Sequence, residues 1–217
     1  MGSGPSDLKS RILARISDQL PARVWTAADF LDLGTRDAVD KVLQRLITAN
    51  QLRRIDWGLY DKPRQNSLTK QSSPPDPREV IDAVARRDQI RVLVDGMTAA
   101  NDLGLTNAVP AKIVVHTDAR LKPIRLGNLD IVFKPAAASK LYWAGRPAMR
   151  IVQALHWLRD VTGDGDDAQA LRRKLRNLLA HDSKGDQIRR DLREGFTALP
   201  AWMQELLRPL LETKAAA

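Results

Sequence analysis

Residues 26–63 read TAADFLDLGTRDAVDKVLQRLITANQLRRIDWGLYDKP, and the way this stretch divides decides the fold. Thr26 is placed to cap a short helix, with Asp29 at the third position of a capping-box-like arrangement. Gly34 predicts a left-handed close to that helix. Thr35 is placed to cap a second one, whose Val39, Val42, Leu43, Leu46 and Ile47 recur at helical spacing. Past Asn50 the period changes. LRRI and GLYD are short strand-like runs, with Asp56-Trp57-Gly58 at the turn between them. Upstream, Leu8, Ile12, Leu13, Ile16 and Leu20 predict an amphipathic helix over residues 6–20, stopped by Pro21.

A helix, then two helices about a tight turn, then a basic hairpin is the order of a winged helix-turn-helix, predicted here over residues 6–62. Its use follows from dimensions. The major groove of B-DNA admits one α-helix, and the N-terminal side of the motif's second helix meets the base edges. That side carries Thr35, Arg36, Asp40, Lys41 and Gln44, with Arg45 toward the flank. Arg36 suits a bidentate contact with guanine, and Gln44 a pairing with adenine or a phosphate contact. Asp37 and Asp40 work against a purely phosphate-binding face and are expected to cap, to pair with nearby arginines or to reject some base patterns. On the wing, Arg53 and Arg54 are expected near the sugar-phosphate backbone or an adjacent minor groove. Trp25 and Tyr60 read as packing residues. Trp57, at the turn, is compatible with either packing or DNA contact.

Residues 63–76 are rich in Pro, Ser, Asn and Gln and read as a linker, part of it held extended by Pro74, Pro75 and Pro77. Residues 77–217 are expected to form a second domain. Residues 77–88 have helical spacing. IRVLVDG reads as a buried strand, and MTAANDLGL as a helix capped near Thr98 and ended at Gly104. AKIVVHT, KPIRLG and LDIVFKP are three β-rich runs, and the remainder is helical. The expected fold class is α+β: an N-terminal winged helix-turn-helix, then a mixed domain with a small, mainly antiparallel sheet and a helical C-terminal end.

The formal net charge of the 217-residue chain is +9 and its pI about 10.2. An excess of this size favours a polyanionic partner, with nucleic acid ahead of an acidic protein. Membrane ranks last, because no run approaches the roughly 18 apolar residues of a span. The opening MGSGPSDLKS lacks the apolar stretch of a secretory signal and resembles a cloning scar. The chain has no cysteine, which excludes disulfides and thiolate metal sites and fits a cytoplasmic location. His116, His156 and His181 are scattered without ligand spacing, so neither a metal nor a cofactor is expected.

No catalytic pattern emerges. His156, on an apolar helical stretch, is expected to be a core histidine rather than a base. GDGDD (163–167) lacks the ligand spacing of a calcium loop and reads as an acidic lead into a helix. No phosphate loop, nucleophile elbow or paired-carboxylate motif is present, and the chain is not expected to be an enzyme. A second basic region gathers Arg172, Arg173, Lys174 and Arg176 around a Leu171/Leu175/Leu178/Leu179 stripe, with Lys184, Arg189, Arg190 and Arg193 nearby. It reads as a solvated face, an additional phosphate contact or a dock for an acidic partner.

Two segments also carry a family resemblance. Leu33-Gly34, Thr35-Arg36 and Gly58-Leu59-Tyr60, in that order, resemble the N-terminal winged helix of AbiEi-like antitoxins from abortive-infection type IV toxin–antitoxin systems. DGMTAANDLGLTNAVPAKIVVHTDAR (95–120) is similar to that family's Gly-Leu-Thr segment and Val-Pro strand entry. Trp57 departs from the pattern, where a basic or small residue is expected. The resemblance implies an antitoxin that represses its own operon by binding inverted repeats, with two copies pairing on DNA from a monomer or weak dimer. It also implies neutralisation of a nucleotidyltransferase-like toxin without a stable complex. The alternative is a free-standing winged-helix transcription factor whose second domain senses a ligand or oligomerises.

Overall fold

The computed structural model describes residues 5–18, 23–64, 72–108, 110–138, 140–161 and 166–212, with backbone alone at 5, 6, 160, 161 and 166–168. The chain is α+β and divides into two compact units: residues 1–90 with 123–131, and residues 91–122 with 132–217.

In the first unit, α1 (Pro5–Ser17) and α2 (Arg36–Thr48) flank a single 3-10 turn, Ala27–Phe30. Their apolar stripes meet as the period predicts. Leu8, Ile12, Phe30, Val39, Leu43 and Leu46 form one buried cluster, with Leu13, Leu33, Ile47 and Tyr60 against its edge. The turn replaces the short α-helix expected from residue 26. Its capping is as expected: the Asp29 carboxylate accepts the Thr26 backbone N–H at 2.7 Å and the Thr26 hydroxyl at 3.0 Å. Gly34 is corrected in kind, since it is absent from the positive-φ residues. What it provides is space, because a Cβ there would lie 3.1 Å from a Leu8 methyl. Arg15 locks α1 to the following turn through a bidentate pair with Asp32, both contacts at 2.6 Å. That pair holds the exposed Asp32 carboxyl below the usual range.

Strands β1 (Arg53–Asp56) and β2 (Leu59–Asp61) form an antiparallel hairpin. Trp25 bridges to the hairpin at Tyr60, its N–H donating to the Tyr60 carbonyl at 2.7 Å and its carbonyl accepting the Tyr60 N–H at 2.9 Å. Helix α3 (Pro77–Asp88) begins with an Asp76 cap and proline at N1. It was expected to open the second domain, yet it groups with the first unit. Arg86 donates to the Val24 carbonyl at 2.9 Å and stands 3.6 Å from Asp29. Within the expected linker, the Ser73 N–H donates to the Arg64 carbonyl at 2.8 Å.

Strand β5 (Ile124–Leu126) and the start of β6 (Leu129–Pro135) group with the first unit, whereas β3 (Val92–Val94) and β4 (Lys112–Thr117) group with the second. The β3–β4 and β5–β6 pairs are antiparallel, and β4 alternates inward and outward along its length. Helix α4 (Gly96–Asp102) is capped by Asp95 rather than near Thr98. The Asp95 carboxylate accepts the N–H and hydroxyl of Thr98 and, from β4, the N–H of Val114. Gly96 lets α4 approach α5 (Met149–Val161); a Cβ there would come 2.5 Å from the Gln153 carbonyl. The stretch after α4 turns at Gly104, near the expected helix end, with φ of +65°. The C-terminal part is helical as expected: α6 (Asp166–His181), α7 (Gly185–Glu194) and α8 (Ala201–Glu212), with a 3-10 turn, Phe196–Ala198, between the last two. Asp191 on α7 is 7% exposed. It accepts Arg146 Nε at 2.8 Å and the Ala148 N–H at 2.9 Å, fastening the segment before α5.

Candidate nucleic-acid interface

Helix α2 buries Val39, Val42, Leu43 and Leu46, and this choice of inner face fixes the outer one. Thr35, Arg36, Asp37, Asp40, Lys41, Gln44 and Arg45 are all exposed. The face is polar but nearly balanced, with Arg36, Lys41 and Arg45 set against Asp37 and Asp40. Arg36 Nε donates to Asp40 at 2.8 Å across one helical turn. The guanidinium is therefore engaged at Nε, in a pair that is itself exposed to solvent. Lys41 and Arg45 form no ion pair among the described residues.

The hairpin separates two arginines that look equivalent in sequence. Arg53 lies across from Asp61 in the strand register and grips it with Nε at 2.9 Å and Nη2 at 2.6 Å. It also donates to the Ser72 hydroxyl at 3.2 Å and the Ser73 carbonyl at 3.0 Å. Asp61 is only 5% exposed, so Arg53 is a structural cation and not a free phosphate ligand. Arg54, one residue on and exposed, stands 4.8 Å over the Trp57 ring. Trp57 is largely exposed, whereas Trp25 is buried and stacked on Phe30 at 5.1 Å. Gly58 turns the tip with φ of +67°. From α3, Arg87 donates to the Trp57 carbonyl and is held by Asp88 at 2.7–2.8 Å.

Of the cations expected on α2 and the hairpin, Lys41, Arg45 and Arg54 thus form no ion pair among the described residues, while Arg36 and Arg53 are paired. Asp61 and Arg87 are not among the site residues expected from sequence. Asp61 was findable from the hairpin register, which sets it opposite Arg53. Arg87 carried no such signal, because nothing in the sequence ties α3 to the hairpin.

This chain belongs to DUF6088. The match to this family of unknown function covers residues 11–186. No curated protein matches the chain. The DUF6088 region contains the hairpin, the outward face of α2 and most of the second unit.

The second basic region, in the second unit, is only partly free. Arg173, Lys174, Arg176 and Arg190 are exposed, but Arg172 is half-buried, and Arg189 pairs with Asp186 at 2.9 Å. The acidic run 163–167 falls largely outside the described residues. His156 is a correction: it is exposed rather than buried in the core, with its ring edge-on to Trp202 at a centroid distance of 6.3 Å. The apolar stripe of α5 passes through Val152 and Leu155 instead. His116 on β4 is half-buried. Burial first, then Lys140 and Lys134, push its pKa below the ordinary histidine value. Among the described residues no three His, Cys, Asp or Glu side chains gather as a metal site, and no helix is long and apolar enough to cross a membrane.

Proposed function

We propose that this DUF6088 chain binds double-stranded DNA through its first unit, as a winged helix-turn-helix, and acts as an autorepressing antitoxin. The observation that carries the DNA reading is the exposed polar face of α2, followed in the chain by a braced hairpin whose tip shows Arg54 and Trp57 to solvent. Helix α2, at 13 residues, is long enough to lie in a major groove and offer its first two turns to base edges. The chain's net charge of +9 supplies the long-range attraction that such binding uses.

The antitoxin role rests on the resemblance to AbiEi-like proteins. Both segments that carry it fall inside the family match. In this reading the first unit occupies inverted repeats at the promoter of its own operon, and the rest of the chain counters a nucleotidyltransferase-like toxin. Two experiments separate the parts. A gel shift with the upstream promoter should show a retarded species that is lost on Lys41→Ala/Arg45→Ala/Arg54→Ala. Co-expression with the neighbouring reading frame should rescue growth only when residues 91–217 are intact. DNA binding without growth rescue would favour a free-standing transcription factor.

A further inference from the structure

The packing of the first unit leaves the tip of its hairpin unexplained. Trp57 is 76% exposed, against 45% and 44% for Leu31 and Tyr142, the other exposed large apolar side chains among the described residues. The tip is nevertheless firmly built. The strand register shifts between Arg54 and Asp56, Gly58 sits in the left-handed region, and Arg87 holds the Trp57 carbonyl from behind. On this stalk Arg54 rests its guanidinium over the indole, with its Nε only weakly engaged by the Asp56 carbonyl at 3.4 Å. Arg54 forms no ion pair among the described residues, in contrast to its neighbour Arg53.

A guanidinium is a fork of donors with no acceptor, so its ligand must offer acceptors in a negative field. An indole beside it wants a flat or apolar wall. The minor groove of A·T-rich DNA meets both needs. Its floor shows only adenine N3 and thymine O2 acceptors, its potential deepens where it narrows, and deoxyribose lines its walls. Guanine adds a 2-amino donor to that floor, which opposes the guanidinium directly.

We propose that Arg54 and Trp57 form a preassembled minor-groove probe that gives the chain a preference for A·T-rich duplex, Arg54 donating to the base acceptors and Trp57 packing on the sugars. The assignment rests on the reading of the first unit as a duplex-DNA binder. It differs from that reading in resting on the hairpin tip rather than on α2.

The test is a fluorescence anisotropy titration of the full chain against three labelled duplexes. One is A·T-rich. In the second, 2,6-diaminopurine replaces adenine, adding a minor-groove amino group while keeping the adenine pattern of the major groove. In the third, inosine·cytosine pairs change the major groove and leave the minor groove without that amino group. The proposal expects about tenfold weaker binding to the diaminopurine duplex than to the A·T duplex, the size of one lost base contact. Arg54→Ala and Trp57→Ala should each bring those two duplexes within about twofold of one another. Trp57→Phe should restore part of the difference. Equal binding of the A·T and diaminopurine duplexes by the unaltered chain overturns the proposal. So does full discrimination by Trp57→Ala, or binding that follows the inosine change instead. DNA binding that neither substitution alters would end the minor-groove assignment while leaving α2 as the reader. No binding to any duplex would end both.

Discussion

Arg53 and Arg54 are adjacent, carry the same charge and are predicted by sequence to do the same thing. The strand pleat sends them to opposite faces. Arg53 meets the nearly buried Asp61, and Arg54 meets solvent and the Trp57 ring. Replacing Arg53 by alanine leaves a buried carboxylate without its main donor and is expected to cost about 1–3 kcal/mol of stability. Arg54→Ala is expected to cost about 0.5–1 kcal/mol at most, the value of an exposed cation–π contact. Chemical denaturation of both variants checks this: a larger loss for Arg54→Ala would reverse the assignment of roles. The same logic limits what was legible. Residue type announced a basic hairpin. Which arginine was free depended on an acid eight positions away, and only strand register brings that acid opposite.

At the scale of elements, periodicity located nearly every helix and strand, since an apolar stripe can be buried in only one way. It read lengths and end geometry less well. Residues 27–30 make a 3-10 turn because Phe30 is already in the core by its last residue, so a full α-helix is not needed to deliver it. Gly34 was assigned a left-handed φ when its actual role is to make room for Leu8. The two glycines should therefore respond differently to alanine. Gly58→Ala forces a side chain into φ +67° and should cost about 1–2 kcal/mol. Gly34→Ala asks only that a flexible leucine shift, and its thermal unfolding midpoint should move less. On β4, His116 has a folded pKa below its unfolded one, because burial and two lysines disfavour the charged ring. Its contribution is present above the ordinary histidine value of 6.5 and is lost as pH falls through the lower folded value. His116→Gln should make the stability of the full chain less sensitive to pH across that acid window. An unchanged slope between pH 7 and 5 would show that the ring is not coupled to folding.

At the scale of the whole molecule, composition pointed to a polyanionic partner, and the proline-rich stretch to a boundary. The boundary is where sequence reasoning had least to hold. Prolines mark where helices cannot run, but they do not say which side a later helix packs on. Helix α3 follows the prolines and belongs with what precedes them, held by Arg86 on Val24 and Asp29 and by Arg87 on the Trp57 carbonyl. A fragment ending at residue 90 should therefore melt at a higher temperature than one ending at residue 76. Equal melting by circular dichroism would argue that α3 adds nothing to the first unit. The central claim, that this unit grips duplex DNA through free cations on α2 and the hairpin, is tested most directly by the salt dependence of binding. Each neutralised phosphate contributes a slope of about −0.9 in log K against log salt. The full chain should bind duplex DNA with a steep negative slope, and the Lys41→Ala/Arg45→Ala/Arg54→Ala variant should bind more weakly with a slope shallower by roughly 2–3. Binding that ignores salt, or a triple variant with unchanged affinity and slope, would contradict it.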